Sequence, residues 1–340
     1  MNEGVNRQFY LHRRPTGRPT AEEVRRRDAP VPQPAEGQLL VRNYYLSLDP
    51  AIRGWMSAEP SYLPPIALGD PIRATTVGEV VESRHPDFAP GEFVVGLHAW
   101  EDYSLSDGTF LMKVPADGKY PLHYYLSILG AVGLTPYFAI TETAEIRRPG
   151  ETLLMSAAAG AVGSVGGQIA KILGCRVVGI AGSDEKCAWI TEELGFDAAI
   201  NYKTCGDLVK AIADACPEGV DIYFDNVGGA ILDAALLNMV HGGRIVFCGA
   251  ISAYNGDGKV PGPLNWWQVL ARALTVRGYL VSDFFPRWPE GIAQMSRWLD
   301  EGRIRFREEI HRGFENTLEV FLELFDGANT GKLIMDIRED

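Results

Sequence analysis

Residues 151–168, ETLLMSAAAGAVGSVGGQ, constrain this chain more than any other stretch. An apolar run at 153–155 passes through small residues into a helical repeat of Val165, Ile169, Ile172 and Leu173, so the local order is strand, tight turn, helix. Gly160, Gly163 and Gly166 stand three apart at the turn. Without β-carbons there, the backbone can come close to a pyrophosphate while the first amides of the helix point at it. A glycine triplet alone would equally describe a helix start packed tightly on its sheet. The surroundings favour the phosphate reading, because a second strand, 175–181, arrives about 20 residues on, where a dinucleotide-binding fold reads the ribose.

A chain of 340 residues, 46% of them hydrophobic, can bury a large core and has the length of two domains. Its net charge of -12 argues against a general affinity for nucleic acid or an anionic membrane, either of which needs a basic face. Arg25, Arg26 and Arg27 form the best basic cluster and read as the solvated edge of a turn. No apolar run approaches the roughly 20 residues that span a bilayer, and the N-terminus MNEGVNRQFY has no signal-peptide core, so a cytoplasmic protein is expected. Cys175, Cys187, Cys205, Cys216 and Cys248 are odd in number, scattered and free of C-x-x-C pairs, and read as reduced thiols.

Along the chain, the first 120 or so residues read as a β-rich barrel or sandwich, with strands expected at 9–12, 38–46, 77–82, 92–97 and 110–114. The loop at 55–69 holds Pro60, Pro64 and Pro65 and cannot be continuous helix or central strand. A helical stretch at 124–141 leads into the strand at 153. Strands at 153, 177, 198, 222, 245 and 276 then alternate with helices, which predicts a doubly wound parallel sheet. Helices at 289–299 and 314–325 and a strand at 332–337 close the chain. That last strand needs a partner, expected in the N-terminal domain. The fold class is thus α/β: a β-rich domain, 1–126 with 306–340, into which a doubly wound dinucleotide-binding domain, 127–305, is inserted.

The second strand of the alternating part ends in AGSDEK, 181–186. An NAD site places an acid at such a strand end for the ribose 2′-hydroxyl, whereas a 2′-phosphate needs room and a cation. Gly182 and Ser183 give room and Lys186 lies one turn into the helix, which favours NADP. Asp184 and Glu185 lie past the strand end and remain the alternative.

The motifs GLTPYF (133–138), AAAGAVGSVGGQIAK (157–171), VVGIAGSDEK (177–186), NYK (201–203), FDNVGG (224–229), CGAISAYN (248–255) and NTGKLI (329–334) resemble the zinc-independent medium-chain dehydrogenase/reductases. Within them the chain is similar to the branch of prostaglandin reductase, leukotriene B4 12-hydroxydehydrogenase and alkenal double-bond reductase. LSLDP at 46–50 extends the likeness toward the N-terminus. The resemblance implies a GroES-like catalytic domain, a Rossmann domain, NADP(H) and a homodimer. It places the pyrophosphate at Gly160, Ala161, Val162 and Gly163 and the 2′-phosphate at Lys186 and Tyr202. Asn226, Cys248, Gly249, Ala250, Ile251, Ser252, Tyr254, Tyr279, Leu280, Val281 and Asn329 would line the rest. Read without the family, Tyr202 and Tyr279 are half-buried strand tyrosines.

A catalytic zinc that polarises an alcohol needs three Cys, His or acidic ligands. No cysteine precedes Cys175, and His12, His85 and His98 lack a Cys partner, so no metal is expected. His98 reads as a hydrogen-bonded or surface histidine. A reductase without a metal suits an already electrophilic carbon, such as the β-carbon of an enal or enone, provided the protein orients the substrate and donates a hydrogen bond to the enolate oxygen. The expected activity is NADPH-dependent reduction of the C=C bond of α,β-unsaturated aldehydes and ketones. Reduction of a carbonyl or quinone, and NADPH binding without catalysis, are the alternatives.

The chain departs from the family where a proton donor is expected. Ala51 stands where relatives often carry tyrosine after Asp-Pro, and residues 265–278 contain no tyrosine. Tyr62, in the proline-stiffened PSYLPP loop, is the substitute candidate; an ordinary loop tyrosine is its alternative. Ala131, Thr75 and Thr76 also depart from the family and reshape the pocket, for which Trp55, Trp100, Trp266 and Trp267 could be either aromatic walls or core.

Overall fold

A computed structural model describes residues 4–115, 117–256 and 261–339. The strands, in chain order, are β1 (Val5–Leu11), β2 (Val24–Pro30), β3 (Leu39–Ser47), β4 (Arg73–Ser83), β5 (Phe93–Ala99), β6 (Tyr103–Ser106), β7 (Met112–Val114), β8 (Thr152–Met155), β9 (Arg176–Ala181), β10 (Ala198–Asn201), β11 (Val220–Asp225), β12 (Met239–Phe247), β13 (Thr275–Gly278), β14 (Glu308–Arg312) and β15 (Lys332–Asp336). Two compact units result. One comprises Met1–Ser127, Tyr254–Lys259 and Glu308–Asp340, the other Ile128–Ala253 and Val260–Arg307.

In the first unit β14, β15, β3, β4, β5 and β7 form one sheet in that order, and β6 pairs with β3. The C-terminal strand β15 is inserted between β14, parallel to it, and β3, antiparallel with Ile334 opposite Ser47. The core gathers Phe9, Leu46, Trp55, Ile66, Trp100, Phe321 and Met335. Trp100 is edge-on to Phe9 at 6.0 Å and to Phe321 at 5.2 Å, so it and Trp55 belong to the core.

Arg25, Arg26 and Arg27 lie on a strand and not at the edge of a turn, because β2 pairs along its length with β1, Gln8 facing Arg27. The sequence hides this strand because its residues after Val24 face mostly outward, leaving no apolar alternation. Arg27 is fixed by a hydrogen bond to the Gln8 side chain at 2.7 Å and stands 4.7 Å over the Tyr10 ring.

In the second unit the parallel sheet runs β10, β9, β8, β11, β12, β13, with the chain starting at the centre and winding outward first to one side and then to the other. Its central strands β8, β9 and β11 are buried along almost their whole length and are mostly apolar, as cover on both faces requires. The helices between them are α3 (Ala161–Ile172), α4 (Asp184–Ala188), α5 (Leu208–Ala215), α6 (Gly229–Asn238), α7 (Ile251–Tyr254) and α8 (Trp267–Ala271); α1 (Ala51–Trp55) and α2 (Ala131–Phe138) precede them, and α9 (Trp288–Asp300) and α10 (Thr317–Asp326) follow. Arg244 of β12 reaches Glu151 ahead of β8 at 2.8 Å, both nearly fully buried, and pins the far end of the sheet.

Candidate functional site

In such a sheet the reversal of strand order, here between β8 and β11, opens a crevice at the carboxyl ends of the strands. The chain leaves β8 through Ser156, turns at Ala157, whose φ of 48° is left-handed, and enters α3 after Gly160. The amides of Ala161, Val162 and Gly163 form the first turn of that helix and have no acceptor within it. Gly163 is required sterically, since a β-carbon there would lie 2.3 Å from Ala157 O and 2.8 Å from Ala158 Cα. Gly167, one turn on, serves packing: its β-carbon would fall 1.9 Å from the ring of Phe196.

Asp225, at the end of β11, organises the opposite lip. Its Oδ1 accepts from the amides of Val227 (3.0 Å) and Gly228 (2.9 Å) and from the Tyr223 hydroxyl (2.8 Å). Burial holds this carboxyl above its usual range. The amides of Cys248 and Gly249 donate to Asp225 O at 2.8 and 3.0 Å, that of Ile251 to Asn226 O at 3.3 Å, and that of Ser252 to Val227 O at 3.2 Å. Asn226 crosses to the other lip: its amide donates to Ser156 Oγ and its Nδ2 to Ser156 O, both at 2.8 Å. The structure thus brings Gly160 to Gly163, Asn226 and the run Cys248, Gly249, Ala250, Ile251, Ser252 to one end of the sheet. Sequence reading missed Ser156 and Asp225, although the D of FDNVGG was in view.

Tyr279 follows β13 at the same end, its amide bonded to Phe247 O at 3.1 Å. Its ring stacks on Phe284 at 5.7 Å, and its buried hydroxyl has no hydrogen-bond partner among the described residues. Burial raises its pKa and pushes the Cys248 thiol up to about 12, so neither ionises near neutrality. Leu280 and Val281 are half-buried beside it, and Val281 O accepts from Trp288 Nε1 at 3.1 Å.

At the end of β9 the Tyr202 ring lies over Gly182, where a β-carbon would be 3.2 Å from Tyr202 Cε1 and 3.4 Å from Lys203 Cε. Lys203 therefore joins Tyr202 at this corner, a cation that sequence reading passed over. Lys186 is half-buried in α4, its amide capped by Ser183 Oγ at 3.2 Å. Asp184, the rival ribose acid, accepts from Asn201 Nδ2 at 2.7 Å. A strand end with a glycine, an aromatic face, two lysines and an already engaged acid has the donors and room for a phosphate. These features, with the amides of the α3 first turn, fit a 2′-phosphorylated dinucleotide.

In the other unit, Tyr62 is 51% exposed with its ring 6.1 Å from Trp55, edge to face. Its loop is held by two arginines not anticipated from sequence. Arg14 donates to the carbonyls of Met56 (2.9 Å), Ser57 (3.1 Å) and Ile66 (3.1 Å), and Arg73 to that of Pro64 (2.7 Å). Tyr254 ends α7, and Asn329 Nδ2 donates to Gly331 O at 3.1 Å. His98 is buried and hydrogen-bonded, its Nδ1 2.7 Å from Thr76 Oγ1. The metal-donor grouping found among the described residues is Glu309, His311 and Glu323, none of them in the set expected to act. Trp266 and Trp267 are exposed at the start of α8 in the second unit.

Two family models match the chain, the N-terminal domain of oxidoreductase over residues 7–114 and zinc-binding dehydrogenase over residues 161–297. It is similar to the NADPH-dependent curcumin reductase of Escherichia coli, at 41% identity covering 98% of each chain. It is also similar to the NADP+-dependent 2-alkenal reductase of Nicotiana tabacum, at 38% identity covering 99% of each. Among solved structures, CurA in complex with NADPH from Vibrio vulnificus matches with a TM-score of 0.91 and 38% identity, covering 98% of this chain and all of that one.

Proposed function

The chain belongs to the zinc-independent medium-chain dehydrogenase/reductases and is an NADP-dependent oxidoreductase, and from that premise we propose that it reduces the C=C bond of α,β-unsaturated aldehydes and ketones. Full-length similarity to an alkenal reductase supports the substrate class, and the observation that carries the reading is the dinucleotide cradle: the Gly163 turn, Asn226 and the Tyr202 corner at one end of the sheet. Residues 127–305 are the cofactor-binding domain and residues 1–126 with 306–340 the catalytic one.

When bound, NADPH supplies a hydride for the β-carbon of the substrate. The chain's part is to hold it and manage charge. Amides of Ala161, Val162 and Gly163 would take the pyrophosphate; Lys186, Tyr202 and Lys203 would take the 2′-phosphate; Asn226, Cys248 to Ser252, Tyr254, Tyr279 to Val281 and Asn329 would serve the remainder. The negative charge that develops would collect on the substrate's carbonyl oxygen as an enolate, to which Tyr62 Oη would donate a hydrogen bond, and protonation of the α-carbon, from water or a tyrosine, would complete the saturated product. An enolate shares its charge between the oxygen and the α-carbon and needs only one or two such donors, whereas an alkoxide from an isolated carbonyl would need a stronger acid or a metal.

The test is NADPH oxidation against enals, enones, quinones and simple ketones, with products identified. Saturated aldehydes and ketones are expected; an allylic alcohol as main product would sink the assignment. Tyr62→Phe should lower kcat by about 100-fold while leaving the NADPH Kd unchanged, and an unaltered kcat would remove Tyr62 from the mechanism.

A homodimer is part of this reading. Leu264 (91% exposed), Trp266, Trp267 (69% exposed) and Leu270 are exposed apolar residues in and before α8, in the stretch that leads to β13, the last strand of the sheet order, and would suit a second copy. Sedimentation showing only monomers at micromolar concentration would refute it. A reducing cytoplasm suits the five free thiols, and no described helix is long and apolar enough to cross a membrane.

A further inference from the structure

Asn201, the last residue of β10, uses both ends of its side chain at the Tyr202 corner. Its Oδ1 accepts from the amide of Lys203 at 3.1 Å, closing a tight turn around Tyr202, and its Nδ2 donates to Asp184 Oδ1 at 2.7 Å. These partners fix which end of the amide is which, because a backbone N–H needs an acceptor and an ionised carboxylate needs a donor. The backbone carbonyl of Asn201 also accepts from the amides of Thr204 (3.2 Å) and Cys205 (2.9 Å). The turn that carries Tyr202 and Lys203 is therefore anchored on this one residue.

Sheet order gives the bond to Asp184 a direction. β10 lies outside β9, with Asn201 opposite Ala181, whereas β8 and the turn proposed for the pyrophosphate lie on the other side of β9. Asp184 follows Ser183, the cap of α4, just past the end of β9. A carboxylate free to turn inward there would accept from a ribose 2′-hydroxyl and repel a 2′-phosphate. Asn201 draws it outward and leaves the strand end to Gly182, Lys186, Tyr202 and Lys203.

We infer that Asn201 is a positioning residue that sets the choice of NADP over NAD: it holds Asp184 away from the ribose and, with the same side-chain amide, shapes the turn that presents Tyr202 and Lys203. This rests on the reading of that corner as the 2′-phosphate site. The position needs a donor and an acceptor at once, which asparagine supplies. Aspartate would keep the Lys203 contact but set two carboxylates against each other, and alanine would lose both contacts.

The experiment measures NADPH and NADH Kd by fluorescence titration, with thermal melting, for wild type, Asn201→Asp, Asp184→Asn and the exchanged pair Asn201→Asp with Asp184→Asn. Asn201→Asp should cut the preference for NADPH over NADH by about tenfold or more, because the repelled Asp184 turns toward the ribose. The exchanged pair carries the wild-type charge and again sets a donor against an acceptor, so its preference should return to within about threefold of wild type. Asp184→Asn, which removes the acid that has to be held away, should keep the preference within about threefold or raise it. A merely structural asparagine would lower the melting temperature and leave the preference unmoved, which would overturn the inference. So would an exchanged pair as impaired as Asn201→Asp, since the loss would then come from charge at position 201 itself. Should Asn201→Asp fail to fold, Asn201→Ala with and without Asp184→Asn decides: the second substitution should restore about threefold or more of the lost preference, and no recovery would overturn the inference. Lys186→Ala, run alongside, reports on the corner itself. If it abolishes the preference while Asn201→Asp keeps it, the corner reading stands and the role of Asn201 falls; a wild type that binds NADH as tightly as NADPH would refute both.

Discussion

Gly163→Ala tests the phosphate-binding turn where the geometry is tightest. The new methyl carbon would stand 2.3 Å from Ala157 O and 2.8 Å from Ala158 Cα, both backbone atoms that no side-chain rotation can clear. Ordinary contact is roughly 1 Å longer, so the start of α3 or the Ala157 turn must move by that order. Alanine improves helix propensity by about 1 kcal/mol, while overpacking costs about 1–3 kcal/mol, so a net loss of stability is expected. The larger effect is on binding. A shift of about 1 Å removes at least one charge-assisted amide–phosphate bond, worth about 1.5–3 kcal/mol, and the NADPH Kd should rise roughly 10- to 100-fold. Gly167→Ala is the control. It strikes the Phe196 ring at 1.9 Å and should cost similar stability, but one turn deeper, away from the first-turn amides. Fluorescence titration with NADPH, alongside thermal melts, separates the two. If both variants melt earlier yet Gly163→Ala binds NADPH as wild type does, the first turn of α3 is not the pyrophosphate site and the cradle is wrongly placed.

Lys186→Ala should weaken NADPH by roughly 10- to 100-fold and leave NADH nearly unchanged, because only the 2′-phosphate is lost as a partner; equal losses with both cofactors would refute that role. Exhaustive dialysis against a chelator should leave turnover unchanged with no stoichiometric zinc by elemental analysis, and loss of activity restored by zinc would overturn the metal-free mechanism. His98 gives a pH prediction: burial pushes its pKa down to about 4 from about 6.5. The unfolded chain takes up the proton first, so stability is undiminished above about pH 6.5 and declines as pH falls toward 4, by up to about 3 kcal/mol. His98→Gln should flatten that part of the stability profile in denaturant titrations, and an unchanged slope would show that His98 is already charged in the native state.

The Rossmann unit was legible in the sequence because its signals are local. An apolar run followed by small residues and a 3.6-residue repeat fixes β8, the turn and α3 within 20 or so neighbouring residues, and each later strand repeats the pattern. Lys186 became a candidate for the same reason, lying one turn past a strand end whose position the periodicity sets, whereas Tyr202 was named only through the family resemblance. Tertiary structure decided what depends on groups far apart in the chain. Asp225 is an ordinary strand-end acid until its Oδ1 is seen gathering Tyr223, Val227 and Gly228. β2 and β14 carry no apolar alternation, and only pairing with β1 and β15 makes them strands. Arg14, Arg53 and Arg73 look like surface charges in sequence, yet each spends its guanidinium on backbone carbonyls of another segment. A carbonyl acceptor has no residue type, so no sequence pattern can announce that an arginine has found one.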